Sequence, residues 1–199
     1  MPYSHFKTLS SAIDAFELEF YETTFFPELK PIVPSETLRL ALEDSLPTVA
    51  VSSEKARSEG LIYPVLMESR RILDRQVSLF SGEEFMVDEA AGLTGIVDFL
   101  ISRSPQISAI QAPAIVVVEA KKADLRSGFG QCVAEMVAAD RFNHRKNKPI
   151  DRVYGIITNG TQWRFLQLQN VTLKMDLFDY PLMPIDRLLA QLCWILREG

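Results

Sequence analysis

The chain has 199 residues, 47% of them hydrophobic and 24% charged, which is typical of one globular domain with a substantial core. No apolar run approaches the ~18 residues of a membrane span, and no basic segment precedes an apolar one near the N-terminus, so we expect a cytoplasmic protein without a signal peptide. The net charge of −5 and the pI of about 5.2 argue against a non-specific nucleic-acid binder but are compatible with a local basic patch. Two cysteines, Cys132 and Cys193, predict neither a disulfide framework nor a zinc site.

Residues 1–50 are predicted to form a helical N-terminal extension packed on the core, and residues 51–199 an α/β domain. Residues 9–22 have the apolar spacing of an amphipathic helix, which ends at the prolines that follow. Ser35 is placed to cap a second, short helix over residues 36–44.

A longer helix is predicted after the extension, from Ser52 or Ser53 to about residue 73, with a bend around Gly60 and Pro64. The apolar period then changes to that of strands. Strands are predicted over residues 84–88, 93–101, 114–122 and 152–158 and over the segment QWRFLQL. Two more helices are predicted, from about Gly128 to His144 and over residues 184–197.

The dipeptide Asn159-Gly160, between the last two predicted strands, is a strong signal for a β-hairpin. The order of elements is helices, an antiparallel meander, a crossover helix and further strands. This order predicts an α/β fold with a mixed β-sheet flanked by helices.

Charged residues interrupt two of the apolar strands. Glu119 and Lys121 lie two residues apart after the run AIVVV, so their side chains share one face of the sheet. Asp98 is the one charged residue of the preceding strand, and a hairpin with its turn centred near Ser108 and Ala109 places it across from Glu119. Opposed carboxylates repel each other, and burying them costs free energy unless a partner compensates. Mg²⁺, which prefers hard oxygen ligands, is the expected partner.

Asp98 followed by Glu119-Ala120-Lys121 resembles the PD-(D/E)xK signature of the restriction-endonuclease-like superfamily. The flanking segments resemble the N-terminal nuclease domain of type I restriction enzyme R subunits. They are Glu54 and Arg57 before the segment IYPVL, a glutamine (Gln131) on the helix after the lysine, and the hairpin TNG…W at 158–163. The resemblance covers roughly residues 52 to 168 and implies a restriction-endonuclease-like mixed sheet flanked by helices.

Two positions depart from the family pattern. Val97 replaces the proline before Asp98, and Glu135 stands where some relatives have a tyrosine. The chain contains no Gly-x-x-x-x-Gly-Lys-Ser/Thr motif, so we expect no ATP-driven motor.

The resemblance implies that Asp98, Glu119 and the Ala120 carbonyl hold Mg²⁺, with Mn²⁺ as a substitute. The metal would polarise the scissile phosphate and supply hydroxide, and Lys121 would orient the attacking water and stabilise developing charge. The alternative is a structural ion pair of Lys121 with Asp98 or Glu119 at the sheet end.

Two further residues are implied as catalytic. Glu54 would reach the metal through water or bind a second ion; alternatively it is a helix N-terminal glutamate that suits the helix dipole. Gln131 would contact the phosphate or a water; alternatively it is an exposed polar residue of a helix.

DNA contacts are expected from a basic cluster at the end of the Gln131 helix and from two residues nearer the site. The residues are Arg141, Arg145, Lys146, Lys148, Lys122 and Arg126. The alternative for the cluster is a solvated helix end whose cations suit the helix dipole.

The sequence therefore predicts a magnesium-dependent DNA endonuclease of restriction or repair type. The alternative is a nuclease-fold regulatory or dimerisation module with a weak or silent site. A homodimer is a possible assembly of the protein. The acidic charge and the missing motor favour the alternative, whereas the Asp98, Glu119 and Lys121 set favours the enzyme.

Overall fold

The protein, described by a computed structural model over residues 2–49 and 51–198, is built around one mixed β-sheet of eight strands. The strands are β1 (Glu19–Glu22), β2 (Ser78–Glu84), β3 (Ile96–Ser102), β4 (Ala114–Ala120), β5 (Val153–Thr158), β6 (Gln162–Gln169), β7 (Thr172–Met175) and β8 (Tyr180–Pro181). Their order is β1-β7-β6-β5-β4-β3-β2, and β8 also pairs with β6. Strands β4 and β5, and β1 and β7, are parallel, while the remaining pairs are antiparallel.

Helices cover both faces of this sheet, which confirms the predicted α/β class. They are α1 (Leu9–Phe16), α2 (Glu36–Val49), α3 (Glu54–Arg57), α4 (Tyr63–Ile72), α5 (Phe129–Arg145) and α6 (Ile185–Glu198). Helices α1 and α5 pack on one face, and α2, α4 and α6 on the other. Helix α5 connects the parallel strands β4 and β5. None of the helices in the described residues is long and apolar enough to cross a bilayer.

Strand β4 is buried along its whole length because helices lie on both sides of it. Its side chains alternate: Val117 belongs to the apolar cluster under α5, whereas Val116, Val118 and Ala120 belong to the cluster under α4 and α6. Each buried valine stabilises the fold by roughly 1.5–3 kcal/mol. The alternation directs Glu119 towards α5.

The predicted helix over residues 9–22 is wrong beyond Phe16. Glu17 takes a left-handed conformation with φ of 52°, which ends α1. The chain then extends into β1, and Leu18 and Phe20 pack on the core from an extended backbone. The predicted N-terminal extension thus contributes a strand to the sheet as well as helices.

The predicted strand over residues 84–88 is also misplaced, because β2 ends at Glu84. Phe85 and Val87 still donate backbone hydrogen bonds to Gly95 and Leu93, at 2.8 and 3.0 Å, but form no regular strand. The segment SLFSGEE, which is mostly polar, becomes a strand because it pairs with β3.

The helical region before β2 follows its prediction closely. The Ser53 hydroxyl accepts a hydrogen bond from the Ala56 amide at 3.2 Å, as an N-cap should. A π-helical turn at 58–62 contains Gly60 and joins α3 to α4, which has Pro64 in its first turn. The predicted helices α5 and α6 and the β5–β6 hairpin are confirmed, and Ser35 caps α2, which continues to Val49.

Candidate active site

The pairing of β3 with β4 brings the two strand carboxylates together. Phe99 pairs with Val118 in the antiparallel register, and the same register continued by one residue places Asp98 across from Glu119. This is the register of a hairpin centred on residues 108 and 109. The predicted register is therefore confirmed from Phe99 to Ile101, and an irregularity shifts the pairing by one residue at Ser102. Asp98 is half-buried and Glu119 is only 1% exposed, so the two carboxyl groups meet where water cannot screen them fully.

Lys121 lies on the same face as Glu119, as the two-residue spacing predicts. The Lys121 ammonium donates to Glu119 Oε1. The Lys121 amide donates to the Thr158 carbonyl at 2.8 Å, which continues the β4–β5 pairing beyond the end of β4. Gly128 makes room for both side chains, because a Cβ there would lie 3.0 Å from Lys121 Cε and 3.1 Å from Glu119 Cγ.

Backbone and amide groups fix the orientation of the carboxylates. The Ala120 amide donates to Asp98 Oδ2 at 2.8 Å. The Gln131 side-chain amide donates to Glu119 Oε2 at 2.8 Å and to Glu135 Oε1 at 3.1 Å. Gln131 therefore lies in the site. The alternative prediction, that Gln131 is an exposed polar residue of the helix, is wrong.

Glu135 is a site residue that the sequence interpretation did not include. It is fully buried one helical turn after Gln131. Its Oε2 atom is buried without a hydrogen-bond partner among residues 2–49 and 51–198. A buried carboxyl oxygen without a hydrogen-bond partner is unfavourable, and a bound proton or a cation would stabilise it.

The pKa values of the site groups are shifted because several buried carboxyl groups surround a single lysine. Burial, and then the nearby Asp98 carboxylate, raise the pKa of Glu119 to about 8, although Lys121 opposes both effects. Burial raises the pKa of Asp98 despite the Ala120 hydrogen bond. Burial, and then Glu119, hold the pKa of Glu135 well above its usual range. Burial lowers the pKa of Lys121, but Glu119 more than reverses this, so the lysine stays charged.

Glu54 is the fourth acidic group of the site. It is the first residue of α3, and its charge acts on Asp98, Glu119 and Lys121. Four carboxyl groups thus interact with one lysine ammonium, which leaves the site favourable for an added cation.

The Asn159-Gly160 hairpin holds the elements around the site together. Arg57 of α3 donates to the Asn159 carbonyl at 2.9 Å, and the Asn159 side chain donates to the Ala123 carbonyl at 3.0 Å. Gly160 has φ of 86°, which favours glycine, and its carbonyl accepts from the buried Trp163 indole at 3.3 Å. These residues join α3, the loop after Lys121 and the hairpin.

The predicted DNA-contacting residues fall into two groups. Lys122 is exposed in the loop that follows Lys121, and Arg126 is exposed in the short 3-10 helical turn after that loop. The cluster at the end of α5 is farther away, since Arg145 is 14 residues from Gln131 and a helix rises ~1.5 Å per residue.

Much of that distant cluster is occupied by protein contacts. Arg141 and Arg145 lie 2.8 and 3.5 Å from the Asp88 carboxylate. Lys148 donates to the Ala112 carbonyl at 3.3 Å, and the Lys146 ammonium lies over the Phe142 ring. The cluster therefore has less free positive charge than its sequence indicates.

The candidate site offers oxygen donors for a metal ion from two side chains and one backbone carbonyl. No group of three or more His, Cys, Asp or Glu side chains within the described ranges is arranged to hold a metal ion. Mg²⁺ takes one or two carboxylates and keeps several waters. Asp98, Glu119 and the Ala120 carbonyl are donors of that kind, and Glu135, with its unpartnered oxygen, interacts electrostatically with both carboxyl groups.

No protein-family model matches the chain, and no curated protein matches it. The function is therefore inferred from the geometry and charge of the site.

Proposed function

We propose that the protein is a metal-dependent phosphodiesterase that cleaves DNA, with a restriction-endonuclease-like active site at the ends of β3 and β4. The observation that carries this proposal is the opposition of Asp98 to Glu119 with Lys121 on the same sheet face. The order of the motif-bearing elements also supports it: Glu54 on a helix, then the two strands, then Gln131 on the crossover helix.

In this proposal Asp98, Glu119 and the Ala120 carbonyl hold Mg²⁺. An ion held by these residues would supply Lewis acidity to the scissile phosphate and to the attacking water. The chain's own contribution is a fixed, desolvated pair of carboxylates, in which the Ala120 amide and the Gln131 amide each hold one oxygen.

Lys121 is the group that acts on the phosphate. Glu119 raises the pKa of Lys121 and so keeps it protonated. Because Lys121 is half-buried, water screens its interaction with a nearby phosphate less than it would at the surface. An ammonium placed beside the scissile phosphate stabilises the negative charge that develops on the phosphoryl oxygens and orients the attacking water. Gln131 holds Glu119 through a hydrogen bond, and the exposed Glu54 adds negative charge near the site.

The second candidate function is a nuclease-fold regulatory or dimerisation module with a weak site. The observation that favours it is the pairing of Arg141 and Arg145 with Asp88, together with a net charge of −5. Both reduce the attraction of DNA to this surface.

Cleavage of linear and circular DNA in Mg²⁺ or Mn²⁺, with and without a chelator, separates the two functions. The enzyme predicts metal-dependent cleavage by the wild type and loss of cleavage in Asp98→Asn, which keeps the shape of the side chain. Asp14→Asn, on the exposed side of α1, is the matched control. Absence of metal-dependent cleavage by the wild type would support the regulatory module.

A further inference from the structure

A cavity of about 460 Å³ opens beside the candidate site, between the loop after Lys121 and the β5–β6 hairpin. Ligand pockets in proteins typically measure ~300–1,000 Å³. The cavity begins at Ala123, two residues after Lys121, and the Asn159 side chain fixes that edge by its hydrogen bond to the Ala123 carbonyl. A ligand in this cavity would therefore be a close neighbour of a phosphate held at Lys121.

The walls of the cavity offer an aromatic ring and an unused amide. Phe129, the first residue of α5, is half-buried; it packs on the core and also lines the cavity. It contacts no other aromatic ring in the described part of the chain. Gln162 is exposed at the start of β6, and its side-chain amide makes no hydrogen bond to a residue that the structure describes.

The charged residues of the cavity neutralise one another. Arg126 lies 3.3 Å from Asp124, and Arg164 lies 2.5 Å from Asp179. A cavity without net charge is poorly suited to a phosphate group. An aromatic ring and an amide that can donate and accept, both in the lining, match a nucleobase instead, because every base has a π face and a polar edge.

We infer that this cavity binds one unstacked nucleobase of the DNA strand whose backbone passes Lys121, with the base stacked on Phe129 and its edge hydrogen-bonded to Gln162. The inference rests on the proposed function and adds a subsite to it. It implies that the protein prefers single-stranded or locally opened DNA, since a paired base must leave its stack to enter the cavity.

A double-mutant cycle between the protein and the DNA tests the inference. The probe is a single-stranded oligonucleotide, bound with Ca²⁺ in place of Mg²⁺, in which one abasic site is moved position by position. We expect the wild type to lose roughly tenfold in affinity at one position, as stacking energies imply, and Phe129→Leu to lose about as much on intact DNA. At that position the two losses should not add, because they remove the same contact.

Three controls keep the result interpretable. Tyr21→Leu replaces an exposed aromatic residue of β1, which does not line the cavity, and should bind like the wild type. Phe129→Trp keeps an aromatic face and should retain the position-specific loss. Gln162→Ala alters only an exposed side chain, so it tests the same position if Phe129→Leu unfolds.

Additive losses at every position for both Phe129→Leu and Gln162→Ala would overturn the nucleobase subsite. If the wild type then still cleaves DNA with Mg²⁺, the proposed function stands and only the subsite is wrong. If the wild type neither binds nor cleaves DNA with Mg²⁺ or Mn²⁺, the proposed function fails and the subsite fails with it.

Discussion

Replacing Glu119 with glutamine should change how the stability of the protein depends on pH. The carboxyl group loses its proton near pH 4.5 in the unfolded chain, whereas burial and Asp98 raise its pKa to about 8 in the folded protein. Between these values the folded state holds a proton that the unfolded state has released. Stability therefore falls as the pH rises from 4.5 to 8, and this contribution is fully favourable only below 4.5.

The size of the effect follows from that interval. One pH unit corresponds to ~1.4 kcal/mol per proton, so the interval from 4.5 to about 8 corresponds to about 5 kcal/mol at most. For a chain of this length, 1 kcal/mol shifts the melting temperature by ~2–4 °C. The melting temperature of the wild type should therefore fall relative to that of Glu119→Gln by up to about 10–20 °C across this range.

Thermal unfolding by circular dichroism at several pH values, in a chelating buffer, measures the difference. Glutamine is neutral at every pH, as the protonated Glu119 carboxyl is, so Glu119→Gln should lack this pH-dependent contribution to stability. Glu28→Gln, at an exposed position, is the control and should follow the wild type. Parallel curves for the wild type and Glu119→Gln would refute the electrostatic account of the site.

Three further outcomes are expected. Mg²⁺ or Mn²⁺ at 100 times its Kd should stabilise the wild type by ~2.7 kcal/mol in thermal unfolding, and Asp98→Asn should abolish the shift; equal shifts would count against the metal site. Lys146→Ala should lower the slope of log DNA affinity against log salt by about one if the lysine touches a phosphate, and an unchanged slope would mark a solvated helix end. Gly130→Ala should cost about 1–3 kcal/mol in urea unfolding, because its Cβ would overlap the Phe6 and Thr8 carbonyl groups; wild-type stability would contradict this packing of the N-terminal segment on α5.

The central strands could be predicted because their own residues determine them. The run before Glu119 is apolar and β-branched, and such a run is stable only when it is buried on both faces. Strands β1 and β2 could not be predicted in the same way. Most of their side chains are exposed, and they extend because β7 and β3 offer backbone partners. Pairing partners of this kind are distant in sequence and leave little local signal.

The positions of the site residues on the strands could be predicted from their spacing in the sequence. The positions of those on α5 could not, because they depend on how the helix packs on the sheet. The two-residue spacing of Glu119 and Lys121 and the turn centre of the hairpin placed three charged groups together. Gln131 and Glu135 share a helix face at a spacing of four residues. Only the packing of α5 on β4 shows that this face turns towards Glu119 and buries an acidic residue.

The most direct test of the proposed nuclease is the single-turnover rate of DNA cleavage by Lys121→Met in Mg²⁺. Methionine keeps an unbranched side chain, one atom shorter than that of lysine, and removes its charge, so the carboxylates remain but the phosphate loses its ammonium partner. Lys30→Met, at an exposed position on the segment between β1 and α2, is the matched control. The account predicts a metal-dependent rate for the wild type and Lys30→Met, and a rate at least ~100-fold lower for Lys121→Met. Equal rates for Lys121→Met and the wild type would contradict it.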